Sequence, residues 1–417
     1  MSEGSPDVGV LVDHLFRSEY PKLVAVLTRH FGFENLAVAE DLVQETLVAA
    51  MHHWSVNGVP DVPAAWLMAV AKRKALNHVK RTGRKQRAHD RIGREPAAEQ
   101  QAEVFLESDL EDSMLRMIFA CCHPDLAPPD RLALVLKILC GFGSAEVARA
   151  LLIGEEAANK RLYRARKLIS DGGIALEAPG GAELDGRLGA VLQSLYLLYN
   201  EGYSATGGDE LIRKDLCLEA MRLCRLLTLR FSQPPVHALM ALMCFHTARF
   251  DSRLGNGGTV VLFHEQDRST WNTDLIRAGM WQLSEAAQGD AVSRWHLEAS
   301  IAAMHCTAPS YAQTDWSGIR GMYRQLNALH PNPVLRLNVA IITAEIEGPE
   351  VAISQIEPLR GERKLARYPL LYATLGELHR RAGRAGDACL NLEKALALTS
   401  SSRERAFYQE RLAALSA

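Results

Sequence analysis

Residues 132–170 read LALVLKILCGFGSAEVARALLIGEEAANKRLYRARKLIS. The apolar run at the start predicts a helix that ends near the glycines at 141 and 143. Ser144 can cap a short second helix over 145–152, Gly154 supplies a tight turn, and 155–169 form a longer basic helix. This order is typical of a helix-turn-helix, whose last helix enters the major groove of DNA.

The last helix of this motif has two chemically different faces. The polar face, suited to base edges and phosphates, comprises Asn159, Lys160, Arg164 and Lys167. The inward face is predicted to comprise Ala157, Leu162 and Leu168. Arg161 and Arg166 lie on the flank and suit phosphate contacts. A generic helical hairpin with a solvated basic face stays open as the alternative, and the bases that would be read cannot be deduced.

The rest of the chain has the same helical character. Apolar residues recur at three- and four-residue steps almost throughout, so the sequence predicts an all-α fold; only TVVLF at 259–263 has the alternation of a strand. A length of 417 residues indicates two or three domains. Composition breaks predict a first module over 8–94, a linker over 95–107, a second module over 108–175 and a C-terminal domain over 184–417.

Charge is balanced overall but sorted along the chain. The 47 basic and 49 acidic side chains leave a net charge of −2, and 48% apolar residues exclude a disordered or uniformly basic protein. However, 72–94 hold ten Lys and Arg against one acid, whereas 99–112 hold six acids and no Lys or Arg. Such a basic run either lies along a phosphate backbone or is a solvated helix face.

Other classes of protein find little support in the sequence. No apolar run reaches the length of a membrane span, and the N-terminus lacks the pattern of a signal peptide, so we expect a cytoplasmic protein without membrane association. Cys121, Cys122 and His123 lack a second ligand pair, which favours packing over metal binding. We expect no cofactor, no metal and no catalytic residues.

Three stretches in this order resemble the extracytoplasmic-function (ECF) group of bacterial RNA polymerase sigma factors. AEDLVQETLVAAMHHW at 39–54 is similar to the core-binding helix of that family, AWLMAVAKRKALNHVKR at 65–81 to its promoter-melting segment, and 132–169 to its promoter-reading helix-turn-helix. The resemblance implies two small helical sigma domains joined by a linker, with the polymerase core (clamp and flap) and promoter DNA as partners.

The resemblance also implies site residues. For the clamp they are Glu40, Asp41, Gln44 and Glu45, with a solvated acidic face as the alternative. For the minus-ten element they are Trp54, Asn57, Lys72, Arg73, Asn77, Lys80 and Arg81, with a loop over 52–63 that pockets a flipped base and with Trp66 in the core. For the minus-thirty-five element they are Ser144, Asn159, Lys160, Arg161, Arg164, Arg166 and Lys167.

The C-terminal 240 or so residues go beyond that minimal family. Residues 371–399 resemble one tetratricopeptide unit through Tyr372, Leu375, Gly376, His379, Ala388, Leu392 and Ala395. Weaker copies place Ala340, Ala352 and Ile356, and then Ile319, Tyr323, Leu326 and Pro331, at similar positions. A helical solenoid of the tetratricopeptide type is therefore expected, and segments over 198–227, 263–276 and 314–326 resemble the extension of one sigma subgroup.

In that subgroup the extension is thought to regulate activity, and the resemblance implies a YCII-related (DGPF-type) protein as a possible partner. Two polar clusters in this part of the chain suggest either an enzyme pocket or, as we favour, buried charge pairs. They are Asn200, Glu201, Tyr203, Asp209, Arg213 and Asp215, and Glu265, Asp267, Arg268 and Trp271. The rival to a sigma factor is a free-standing helix-turn-helix regulator with a protein-sensing repeat domain.

Overall fold

The computed structural model describes residues 8–89, 107–151, 153–203, 213–253, 255, 260–399 and 401–416. Over these residues the all-α prediction is confirmed, with eighteen α-helices and no β-strand. Val260–Phe263, the described part of the expected strand, enter only a bridge and a short 3₁₀ turn. Contacts divide the chain into an N-terminal unit, Met1–Ser194, and a C-terminal unit, Leu195–Ala417.

The N-terminal unit contains seven complete helices and the first part of an eighth among its described residues. They are α1 (Val8–Phe31), α2 (Leu36–Asn57), α3 (Pro63–His89), α4 (Glu107–Cys121), α5 (Pro128–Leu134), α6 (Ser144–Ala150), α7 (Glu155–Leu168) and α8 (Ala182–Tyr203). Helix α1 packs against α2, α3 and α4, so it serves the cores of both predicted modules. Most of the predicted linker lies outside the described residues.

The helix-turn-helix forms as predicted, with local differences. A π-helical turn, Val135–Leu139, follows α5, and α6 begins at Ser144 rather than after it. The cap is Gly143, whose N–H donates to the Glu146 carboxylate at 2.7 Å, and Ser144 supplies no capping hydrogen bond. Glu146 therefore satisfies the helix terminus that the sequence assigned to the Ser144 hydroxyl.

The inward face of α7 also differs from the prediction at one position. Ala158, Leu162 and Ala165 are buried, whereas Ala157, predicted to point inward, is exposed. The three buried positions follow steps of four and three residues, which keep one stripe of the helix on the core. Leu162 is buried as predicted and Asn159, Lys160, Arg164 and Lys167 are exposed, so the basic face lies where the sequence placed it.

The C-terminal unit continues α8 and adds ten helices among its described residues. They are α9 (Lys214–Arg230), α10 (Pro234–Thr247), α11 (Thr273–Ala286), α12 (Arg294–Thr307), α13 (Trp316–Leu329), α14 (Pro333–Glu347), α15 (Pro349–Ile356), α16 (Pro369–Arg381), α17 (Ala385–Leu398) and α18 (Ser402–Ser416). Four of these helices begin with proline, which suits the first turn because its missing N–H has no partner there. Helix α10 is buried on nearly all sides and contacts α9, α11 and α12.

The last helices pack in sequence as antiparallel neighbours. Gly376 of α16 lies so close to Leu392 of α17 that a Cβ on the glycine would approach the leucine Cγ to 2.8 Å. Ala388 and Ala395 are fully buried beside them. The small residues at the predicted tetratricopeptide positions therefore let this pair of helices approach closely.

Candidate nucleic-acid and polymerase interfaces

The predicted clamp-binding helix is α2, and it exposes most of the predicted residues. Asp41, Gln44 and Glu45 are exposed on one face, where Glu45 accepts a 3.1 Å ion pair from Lys74. The same face continues into Val48 and Met51, which are 53% and 56% exposed. These two apolar residues were not predicted as part of the site, although each lies seven residues after a predicted one, Asp41 or Gln44.

Glu40 is different, because it is buried rather than exposed. Its side chain is only 5% exposed. Tyr20 of α1 donates its hydroxyl to Glu40 Oε1 at 3.0 Å, and Arg166 Nη2 of α7 donates to Oε1 and Oε2 at 2.9 and 2.8 Å. Burial, followed by the charge of Glu40, raises the pKa of Tyr20 above its ordinary value. A predicted polymerase contact and a predicted DNA contact thus neutralise each other in this structure.

A second polar contact joins the same two modules. Arg17 of α1 donates to Glu146 Oε1 of α6 at 2.5 Å, and its guanidinium lies 5.2 Å from the centre of the Phe142 ring. Gly141, at a φ of 70°, sits against the Arg17 carbonyl, where a Cβ would come within 3.1 Å of the oxygen. The N-terminal unit therefore has its first and second modules closed against each other.

The minus-ten prediction divides into exposed and buried residues. Trp54 is 2% exposed and packs its ring at 6.1 Å from Phe16 and at 5.5 Å from Trp66, so it belongs to the core in this structure and not to a DNA surface. The expected loop over 52–63 is shorter than predicted, because α2 continues to Asn57 and only 58–62 connect it to α3. Asn57 is exposed, and its amide donates to the His53 carbonyl.

Helix α3 carries the basic part of this prediction. Arg73, Asn77, Lys80 and Arg81 are exposed, and Lys72 is partly buried. Arg73 lies four residues before Asn77, and Lys80 and Arg81 lie three and four residues after it, so these exposed side chains form one continuous stripe along the helix. The side chains of the basic residues from 84 onward lie outside the described part of the chain.

The minus-thirty-five residues lie on α6 and α7. Asn159, Lys160 and Lys167 are exposed, and Lys160 pairs with Glu156 at 2.6 Å. Arg161 and Ser144 are partly buried. Tyr163, which was not predicted as a site residue, is 67% exposed on the same face. A large aromatic side chain that remains exposed between basic residues suits stacking or groove contact with nucleic acid.

Arg164 has a partner that the sequence did not reveal. Its Nε and Nη2 donate to Asp130 Oδ2 and Oδ1 at 2.9 and 2.6 Å, in the two-pronged geometry that arginine makes with a carboxylate. Asp130 is only 6% exposed and lies on α5. The hydrogen bonds to Asp130 raise the pKa of Arg164. Arg164 therefore ties α7 to α5 in addition to facing outward.

The adjacent cysteines and two members of the second polar cluster make structural contacts, whereas Asp209 of the first cluster lies outside the described residues. Cys121 and Cys122 are buried, as the packing interpretation expected, and burial raises the pKa of the Cys122 thiol to about 12. In the second polar cluster Glu265 pairs with Arg411 at 2.6 Å and Trp271 donates to Ser252 at 2.8 Å. Among the described helices, none combines the length and the apolar composition that a membrane span requires.

Comparison with known proteins agrees with this division of the chain. Residues 15–85 match the family model of sigma-70 region 2, residues 116–169 match sigma-70 region 4, and residues 187–287 match a family of unknown function, DUF6596. An uncharacterized protein, R00370 of Rhizobium meliloti (strain 1021), is 34% identical over 410 residues, which are 97% of this chain and 96% of that protein.

Proposed function

This chain belongs to the ECF-type sigma-70 factors with a C-terminal extension, and from that premise we propose that the extension regulates how the sigma modules engage polymerase and promoter. Sigma-70 regions 2 and 4 make it a DNA-binding initiation factor whose partners are RNA polymerase core and promoter DNA. The closed contact between Glu40 and Arg166 identifies the state on which the extension would act, because this contact holds the two sigma modules together.

We propose that Asp41, Gln44 and Glu45 dock on the polymerase clamp, with the exposed Val48 and Met51 completing the surface. Charged groups at such an interface set orientation and association rate, while apolar side chains supply buried area. The second module is proposed to contact the flap. The basic stripe of α3 would hold minus-ten DNA, and the exposed face of α7 would read the minus-thirty-five element.

The minus-ten and minus-thirty-five contacts cannot form at the same time while the two modules are closed. The two promoter elements are centred about 25 base pairs apart, which is roughly 85 Å at 3.4 Å per base pair. A compact unit of about 190 residues has a radius of gyration of roughly 16 Å. The modules must therefore separate on the promoter, and separation would release Glu40 and Arg166 from each other.

The initiation role is tested with purified core polymerase and the full chain on fragments of genomic DNA. We expect promoter-dependent initiation from core plus this protein alone. Binding to duplex DNA without initiation would instead support the rival, a free-standing helix-turn-helix regulator.

The test of regulation by the extension requires a truncated chain whose N-terminal unit still folds. Arg187 of α8 donates to the Phe119 carbonyl at 3.1 Å, so a cut near residue 178 would remove part of the packing of the N-terminal unit. A chain that ends after Tyr203 keeps α8 whole. Circular dichroism verifies the helicity of this truncated chain. We expect it to initiate transcription at a rate different from that of the full protein. Equal rates would refute regulation, and a pull-down with a YCII-related (DGPF-type) protein tests that partner.

A further inference from the structure

The C-terminal unit contains a cavity of about 420 Å³. It is lined by α8, α10, α12, α13 and α14 together with the 3₁₀ turn at Phe263. This volume falls within the range of small-molecule sites in proteins, which is roughly 300–1,000 Å³. Aromatic residues, including Tyr196 and Tyr323, line part of the cavity and could hold the apolar body of a ligand.

One wall of the cavity carries a cation without an acidic partner. Arg249 is only 9% exposed, and its guanidinium lies 4.2 Å from the Phe263 ring centre and 5.4 Å from that of Trp271. Its hydrogen bonds go to the neutral amide of Gln266, at 3.1 and 3.3 Å. Among the described residues no carboxylate forms an ion pair with Arg249. A buried charge of this kind is costly unless an opposite charge compensates it.

Two histidines on the same wall add hydrogen-bonding capacity. His246 and His305 line the cavity, and the Nδ1 of each is buried without a hydrogen-bond partner among the described residues. Burial, followed by the charge of Arg249, lowers the pKa of both to about 3, so both rings are neutral near pH 7. A neutral imidazole can donate one N–H to an acceptor in the cavity.

The other charged residues of the lining do not compensate Arg249. Glu298 lines the cavity, but Arg294 beside it donates to the Glu298 carboxylate at 2.8 and 3.2 Å. Arg268, behind His305, binds the His305 and Ala308 carbonyls, both at 2.8 Å. The Arg249 wall therefore carries a net positive charge, and the two imidazole nitrogens without partners can hydrogen-bond a ligand there.

We propose that this cavity binds a small organic anion, whose carboxylate or phosphate group pairs with Arg249 and whose apolar body lies among the aromatic residues. This proposal names the ligand class of the extension and so rests on the proposed regulatory function. An arginine that is pre-organised by stacking on an aromatic ring presents its remaining N–H groups at low entropic cost, and carboxylate and phosphate match their geometry.

The test uses the full chain and three probes in calorimetric titration. Benzoate represents a carboxylate on an apolar body, inorganic phosphate represents a phosphate, and benzamide is the neutral isostere of benzoate. We expect saturable binding of benzoate or phosphate, and the tighter of the two identifies the anionic group. The proposal is overturned if neither anion binds at up to about 10 mM, a range that covers very weak sites, or if benzamide binds as tightly as benzoate.

Two matched variants locate the binding. Asn338→Asp places a negative charge on the cavity wall without a large change in volume, and we expect it to weaken binding of the anion at least about tenfold. Gln355→Glu makes the same kind of change at an exposed position outside this cavity and should bind as the parent does. Unaltered binding by Asn338→Asp would refute the site.

Transcription with the same variants separates this inference from the proposed function. If the anion binds and transcription initiation is unchanged, the binding site is supported and its regulatory role is refuted. If initiation depends on the extension and no anion binds, regulation is supported and the binding site is refuted.

Discussion

The contact between Glu40 and Arg166 provides the sharpest test of the closed N-terminal unit. We consider Glu40→Gln, which keeps the shape of the side chain and its hydrogen-bond acceptor but removes the buried negative charge. In the parent protein the carboxylate is 5% exposed and accepts from Arg166 at 2.8 and 2.9 Å, while the Arg166 side chain is 35% exposed.

The magnitude follows from these contacts. Hydrogen bonds to charged groups stabilise proteins by about 1.5–3 kcal/mol. Solvent screening at the partly exposed Arg166 reduces that value, so we expect Glu40→Gln to weaken the closed state by about 1–2 kcal/mol. The fraction of molecules with separated modules should then rise roughly 5- to 30-fold.

The assay is thiol labelling read for each cysteine by peptide mass spectrometry. Cys140 is 1% exposed and precedes Gly141, which packs on α1, so separation of the modules should uncover it. Cys224 in the C-terminal unit is fully buried and serves as the internal control. Cys121 is unsuitable, because burial and the charges of Cys122 and Glu40 raise the pKa of its thiol, and the substitution would change its reactivity directly.

We expect Cys140 to label about 5–30 times faster in Glu40→Gln while Cys224 labels at its original rate. Arg17→Gln removes a largely exposed ion pair together with the contact on the Phe142 ring, and it should change the rate less, since exposed ion pairs contribute about 0–1 kcal/mol. An unchanged Cys140 rate would refute the proposed role of the pair, and equal acceleration at Cys224 would show a general loss of stability instead.

Three further predictions follow from named contacts. Arg164→Ala should weaken binding to minus-thirty-five DNA, measured by fluorescence anisotropy, and Asp130→Asn shows by which route. The same loss of affinity in Asp130→Asn would mean that Arg164 acts by positioning α7, whereas retained affinity would mean that Arg164 contacts DNA directly. Asp41→Ala should lower the affinity for polymerase core with unchanged helicity, and parental affinity in a pull-down would refute its place at the clamp. The free energy of unfolding of the C-terminal unit, measured in urea, should be lower at pH 5.5 than at pH 7 by roughly 1 kcal/mol for each of His246 and His305. The reason is that their pKa in the folded protein, about 3, lies below the ordinary value of about 6.5, so that protons bind the unfolded chain first. A free energy of unfolding that does not change with pH would contradict their burial as neutral rings.

Much of the fold could be predicted because it rests on local pattern. Helical periodicity, the turn at Gly154 and the small residues at Gly376 and Ala388 each act within a few residues of sequence or one helix pair. The structure confirms the all-α architecture that these patterns predict. Two local boundaries differed from the prediction: α2 continues to Asn57, and α6 is capped by Glu146 of its own first turn in place of Ser144.

The candidate sites were predictable to a smaller extent. Exposed polar residues such as Asp41 and Lys160 follow from helical phase alone. Burial of Trp54 depends on Phe16 and Trp66, which are far from it in sequence or on another helix. The Arg249 cavity is assembled from five helices and a turn, and no motif spacing marks it.

By itself the sequence determined the helical class, the helix-turn-helix and the order of the sigma segments, because these depend on short-range periodicity and turn chemistry. Only the tertiary structure decided which charged side chains pair with each other inside the protein. Glu40 lies 126 residues from Arg166 in the chain, and Asp130 lies 34 residues from Arg164. Ion pairs at such separations depend on how whole helices pack. Two charged residues with the same sequence pattern can therefore differ, one exposed to solvent and the other paired with a buried partner.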